Sequence, residues 1–188
     1  MNIIKFRKIK TSDRYEAKYT AWSRIYEYPL VLDIIEEFNT VKNPKIHNTS
    51  WGFEGPHVIF KEDLDSKYKV LHSDIKYSSL PNTAIWDITT SPPEEYVGEF
   101  DIVINVSTVE EVNFDHLTIF NNLLKQVKKG GLLIITFDLP GLQLEKFEEF
   151  LGQPIERFSN ELCGDNSVLP HLIYTHLSCG VLVIRNPK

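Results

Sequence analysis

The stretch FDIVINVSTVEEVNFDHLTIFNNLLKQVKKGGLLIITFD, residues 100–138, carries most of the information about the fold. Its first part, FDIVINVS at 100–107, is a nearly continuous apolar run, the pattern of a strand buried on both faces of a parallel sheet. Asp115 is placed to cap a helix in which Leu117, Phe120, Leu124 and Val127 recur at helical spacing. That helix is expected to end in KKGG, with lysines near its carbonyl end and glycines for a left-handed cap. LLIITFD then reads as a second buried strand.

The same alternation extends both ways. TAWSRIYEYPLVLDIIEEF has helical spacing, with Ile25, Leu32, Ile35 and Phe38 on one face, and Pro29 is expected to kink or restart it. KIHNTS is a strand candidate, followed by the glycine turn NTSWGFEGP. Pro56 stands where a first helical residue tolerates it, and Val58, Phe60 and Leu64 then point inward. KVLHSDI at 69–75 and AIWDI at 84–88 are strands, LQLEKFEEFLG is a helix closed by Gly152, and PIERF and SCGVLVIRN are late strands. No helix separates those two, so one joins antiparallel. The pattern implies an α/β fold, Rossmann-like and doubly wound, with a mostly parallel sheet and helices on both faces.

With 188 residues, 42% hydrophobic and 24% charged, the chain fits a single soluble globular domain. It divides into a basic N-terminal extension and helix, 1–44, and a main domain, 45–188. No apolar run reaches the roughly 18–20 residues of a membrane span, and no secretory signal is legible at the start. Cys163 and Cys179 are the only cysteines and read as reduced thiols of a cytoplasmic protein. A net charge of −6 argues against a nucleic-acid partner. Residues 1–24 nevertheless carry +5, leaving −11 for the remainder. This arm could meet an acidic substrate, cover an acidic face of its own domain, or be a solvated extension.

Phe100-Asp101, the polar segment Ser107 to Glu111, the turn Lys128 to Gly131 and the strand Leu132 to Phe137 resemble the second half of a class I S-adenosylmethionine-dependent methyltransferase. The paired late strands resemble that family's seven-stranded sheet with an antiparallel last strand, and the likeness covers roughly 45–185. It implies S-adenosylmethionine as cofactor. Ligands of open α/β sheets lie outside the carboxyl ends of the strands, where strand order reverses. On this resemblance Asp74 takes the ribose hydroxyls, Asp87 meets the adenine amino group beside Ile88, and Asn105 and Ser107 face the methionine part or the acceptor. An Asp ending a strand is also an ordinary turn starter.

The glycine loop departs from the family's acidic residue followed by x-Gly-x-Gly-x-Gly. With Gly52 on the middle glycine, Asn48 takes the acidic position, Ser50 the first glycine and Glu54 the third, while Trp51 lies between. Gly55 falls out of phase. A second registration reads Ser50, Gly52 and Gly55 as a degenerate dinucleotide fingerprint, with Asp74 following Gly55 by 19 residues. That would suit a nicotinamide-dinucleotide-binding protein, although Pro56 removes one N–H from the helix start.

Methyl transfer needs in-line placement of a nucleophile and sometimes a base. Glu110 and Glu111 are the candidates, as base or as partners of a sugar hydroxyl; a solvated acidic turn is the other reading. His116 reads as a surface residue. The connection 159–176 carries Cys163, Asp165, His171 and His176 without metal-ligand spacing, and suits a substrate-contacting or dimer-forming loop. No Asn/Asp-Pro-Pro-Tyr-like motif follows the 100–107 strand, which argues against a base- or amide-nitrogen acceptor. The expected function is therefore methylation of a small polar or saccharide-like acceptor. The alternative is a catalytically inactive binding or assembly module on the same scaffold.

Overall fold

The computed structural model describes residues 2–4, 12–15, 23–53, 55–139, 141–154, 156–159 and 178–187. Glu54, most of the basic arm and the residues of the 159–176 connection named above lie outside these. Five parallel strands form the body of the sheet: β2 (Lys45–Thr49), β3 (Lys69–Asp74), β4 (Thr83–Ile85), β5 (Phe100–Val106) and β6 (Val127–Leu139). β8 (Ser178–Arg185) runs antiparallel beside β6. The order from one edge is β4-β3-β2-β5-β6-β8. Chain order reverses between β2 and β5, so the loops leaving these two strands diverge to opposite faces.

The sheet has eight strands rather than the expected seven. The difference lies at the outer edge of β8, which is long enough for two short partners. β1 (Asn2–Ile3) pairs at Ile184 and Arg185, and β7 (Glu156–Ser159) pairs from Ser178 to Val181. The antiparallel last strand is as expected.

Two cores sandwich the sheet. Ile102, Ile104, Leu132, Ile134, Val181 and Val183 pack against helices α1 (Arg24–Phe38) and α2 (Pro56–Lys67). Val103, Leu133, Ile135, Leu182 and Ile184 pack against α3 (His116–Leu124) and α4 (Leu144–Leu151). Neighbouring residues of one strand thus serve opposite cores, which is why these strands read as unbroken apolar runs.

Several local expectations are corrected. α1 runs through Pro29 without a break. Proline cannot donate to the carbonyl four residues earlier; that carbonyl, on Ile25, instead accepts from Ser12 N–H at 3.0 Å. α3 stops at Leu124, capped at its start by Asp115, which accepts from Thr118 N–H at 2.9 Å. Val127 and KKGG belong to β6. The register jumps there from Phe100 opposite Val127 to Ile102 opposite Leu132, so the extra residues form a bulge. Gly131 is required in it, because a Cβ would lie 2.6 Å from the Asp101 carbonyl oxygen. β4 ends at Ile85, and Trp86 and Ile88 turn down into the α3 core instead of extending the strand.

Candidate functional site

The loop after β2 takes a left-handed path. Ser50 has φ 53° and Gly52 has φ 72°. Ser50 is thus held in a conformation that disfavours side-chain-bearing residues. Between them Trp51 is buried, its N–H donating to Ser73 O at 3.3 Å and its ring lying 5.2 Å from Phe53 and 6.0 Å from His72. Gly52 N–H points to Asp74 Oδ2 at 3.4 Å, and Asp74 Oδ1 accepts from Lys76 N–H at 3.1 Å. Asp74, at the end of β3, therefore faces the loop directly. A Cβ on Gly52 would come within 2.7 Å of His57 Cγ, so the first turn of α2 lies hard against this glycine. His57 is held there by the Tyr28 hydroxyl donating to Nδ1. Burial pushes its pKa down to about 4, which keeps the ring neutral and able to accept.

Asn48 and Asn105 face opposite cores and both turn inward. Asn48 donates to His72 Nδ1 at 3.1 Å, and His72 Nε2–H donates to Asp65 at 3.0 Å. Burial lowers the His72 pKa to about 4, consistent with this neutral tautomer. Asn105 is fully buried, with Nδ2 donating to Thr49 Oγ1 at 2.9 Å while its Oδ1 has no partner. Asp87 lies two residues beyond β4, exposed, and its Oδ1 accepts from Thr89 N–H at 2.9 Å and Thr89 Oγ1 at 2.8 Å. It starts its own turn, and Ile88 beside it is a core residue, 2% exposed.

Beyond β5 the structure separates the two glutamates. Glu111 is exposed, whereas Glu110 turns inward and accepts from Asp138 N–H at 2.6 Å. Ser107 is buried at φ 40°, its N–H donating to Thr136 O at 3.0 Å and its hydroxyl donating to Glu27 Oε1. Glu27 is fully buried in α1 and ion-paired with Arg24. Burial alone would push this carboxyl up, but Arg24, Ser107 and neighbouring hydroxyls hold it below the usual carboxylate range. Glu110 and Asp138 go the other way. Burial raises Glu110 to about 8; burial and the Glu27 charge raise Asp138 to about 7. Both can exchange protons near neutrality.

The expected site residues thus fall into three sets. Ser50, Trp51, Gly52 and Asp74 come together at the glycine loop, and Ser107 and Glu110 line the β5–β6 end. Asn48, Asn105 and Ile88 are interior, while Asp87 and Glu111 face outward. His116 is buried rather than on the surface, with Nδ1 accepting from Gln143 N–H at 3.3 Å. Arg24, Glu27, Tyr28, His57 and Asp138 were not anticipated. Asp138 closes LLIITFD as Asp74 closes its strand, so the same rule would have found it. Glu27 stands between Tyr26 and Tyr28 much as Asp33 stands between Leu32 and Ile34, so the sequence of α1 does not single it out.

No protein-family model matches the chain, and no curated protein matches its sequence. Solved structures do match. The (4+2)-cyclase SpnF aligns over 92% of this chain and 85% of its own, with 12% identity and a TM-score of 0.55. The CMeT domain of the citrinin polyketide synthase aligns over 86% of this chain at 12% identity and TM-score 0.58, with 52% of that longer chain covered. A TehB-like SAM-dependent methyltransferase from Corynebacterium glutamicum aligns over 86% of this chain and 87% of its own, at 13% identity and TM-score 0.54. The architecture is that of the class I S-adenosylmethionine-dependent methyltransferases. These likenesses concern the fold alone, and a cyclase among them shows that the scaffold does not dictate one reaction.

Proposed function

We propose that the chain binds S-adenosylmethionine where β2, β3 and β5 end and methylates a small polar or saccharide-like acceptor. The contact between Asp74 and Gly52 N–H carries this reading. It puts an acidic group against the glycine loop, the position that the resemblance assigns to ribose recognition. The Asp74 carboxylate is half-buried and is met by two backbone donors, one of them long, so lone pairs remain for two hydroxyls. The bound cofactor would supply an electrophilic methyl group on a sulfonium. Ser50, Trp51 and Gly52 would line it by backbone, with Asp87 on the adenine side. Ser107 would orient the other end, and Glu110 or its neighbour Asp138 would take a proton from the acceptor.

The alternative reading, a binding or assembly module without catalysis, draws support from His57 pressed on Gly52 and from Ser107 already committed to Glu27. Calorimetric titration with S-adenosylmethionine and S-adenosylhomocysteine separates the two. The enzyme reading predicts saturable heat for both, and an affinity at least about tenfold lower for Asp74→Ala, as expected for lost charge-assisted hydrogen bonds. Silence from the wild type up to millimolar ligand favours the module; binding that Asp74→Ala leaves unchanged removes Asp74 from the site.

A further inference from the structure

We propose that Asn122 is a positioning residue for the adenine end of the site: through Ile88 it holds the Asp87 turn against the body of the sheet, and so sets how strictly an amino group on the base is required. This rests on the S-adenosylmethionine reading above. A chain of four hydrogen bonds carries it. Ser73 Oγ donates to His47 Nε2 at 2.7 Å, and His47 Nδ1–H donates to Gln126 Oε1 at 2.6 Å. Gln126 Nε2–H then donates to Asn122 O at 3.1 Å, and Asn122 Nδ2–H to Ile88 O at 3.1 Å. All four donors point one way. The Asn122 and Ile88 carbonyls can only accept, which fixes both side-chain amides; Gln126 Oε1 then needs a donor, which puts the His47 proton on Nδ1. Burial lowers the His47 pKa to about 3, so the ring is neutral and Nε2 stays an acceptor.

The chain joins two parts of the candidate site. Ser73 precedes Asp74, and its carbonyl accepts from Trp51 N–H of the glycine loop. Ile88 follows Asp87. Ser73, His47, Gln126, Asn122 and Ile88 are all buried. Ile88 lies beyond the end of β4, so its buried carbonyl depends on a side-chain donor, and Asn122 of α3 supplies it. On the other side of Asp87, Trp86 N–H donates to Asp74 O at 2.9 Å. Thr89 and Thr90 bond back to Asp87 itself, so they shape the turn without anchoring it. Both Thr89 bonds go to Asp87 Oδ1, which leaves Oδ2 for an amino group on a ligand. Apolar residues of similar shape would serve stability here about as well. A buried polar chain with every step satisfied instead fixes one arrangement of the groups at its ends.

The test uses the full chain and two ligands, S-adenosylhomocysteine and S-inosylhomocysteine, whose base carries an oxygen in place of the amino group. Calorimetry should show the wild type preferring the first by about tenfold or more, and Asn122→Ala reducing that preference to about threefold or less. A protein that is merely destabilised would bind both ligands more weakly by one factor and keep the ratio. An unchanged preference in Asn122→Ala therefore overturns the proposal, as does a wild type that binds both ligands equally. A second measurement needs no ligand: amide hydrogen exchange at Thr89 and Thr90 should be at least about tenfold faster in Asn122→Ala, relative to the amides of β5. A uniform change along the chain would show that Asn122 supports stability without holding the turn. Where the variant does not fold, the wild type decides by NMR. The Asn122 side-chain amide signals should shift with S-adenosylhomocysteine and stay in place with S-ribosylhomocysteine, which has no base; equal shifts with both overturn the proposal. Silence from S-adenosylhomocysteine removes the cofactor reading and this inference with it, whereas binding with an unchanged preference sinks this inference alone.

Discussion

At Gly52 two constraints coincide: a positive φ of 72° and the His57 ring in the space a Cβ would need. Ser50 shares the first and escapes the second, which is how a side-chain-bearing residue holds a glycine position of the loop. Gly52→Ala should therefore lose about 1–2 kcal/mol from the left-handed backbone, and more from the collision with His57. In a His57→Ala background the ring contacts disappear and only the residue-57 Cβ, 3.1 Å away, remains, so the penalty should fall toward the backbone part. Urea unfolding of the four proteins measures this; equal penalties in both backgrounds would show that His57 does not press on the loop. The same scale explains what composition and spacing could not tell about Asp87. Whether a carboxylate ends a strand or starts a turn depends on where its neighbour Thr89 places N–H and Oγ1, and both go to Asp87 here.

Most elements were legible because their residues follow one rule throughout their length. β5 and β6 are apolar on both faces, and α2 and α4 carry their apolar residues at helical spacing with Pro56 and Gly152 at the ends. The failures lie where two rules compete. KKGG has the composition of a helix C-cap, yet the pairing of β5 with β6 claims it as a bulge. Pro29 should interrupt α1, yet a donor from Ser12, 17 residues away in sequence, satisfies the carbonyl it abandons. AIWDI has strand composition, but β4 is an edge strand, and burial of Trp86 and Ile88 in the α3 core outweighs three further residues of strand. For the site, Asp74 and Ser107 were legible as strand ends. Arg24, Glu27 and His57 were not, because only tertiary packing brings α1 and the start of α2 over the loop.

Over the whole molecule the buried titratable groups pull stability in opposite directions with pH. Burial lowers His47 to about 3 and His57 and His72 to about 4. Below the unfolded value of about 6.5, the unfolded chain binds protons that these native rings refuse, so stability falls as pH drops toward 4. Glu110 and Asp138, raised to about 8 and 7, keep protons that the unfolded chain releases. Their contribution is present below about pH 4 and is lost as pH rises through 7 and 8. Each group contributes a slope of at most about 1.4 kcal/mol per pH unit. The two sets balance near pH 6, where unfolding free energy should peak at about that pH. A urea series from acid to alkaline pH checks it; a profile rising monotonically to pH 9 would mean that the two carboxyls are ionised in the folded chain.

Among the described residues no helix is long and apolar enough to cross a membrane, and the folded chain presents its polar strand ends on one side of a two-faced sheet. Whether that side takes a cofactor is the central question. The most direct measurement is a nitrogen-15 NMR titration with S-adenosylhomocysteine, following the Gly52 and Asp74 amides and the Trp51 indole N–H. The account predicts saturable shifts centred on these three signals and extending to Ser107. Unmoved signals at millimolar ligand, or shifts confined to another part of the chain, would contradict it.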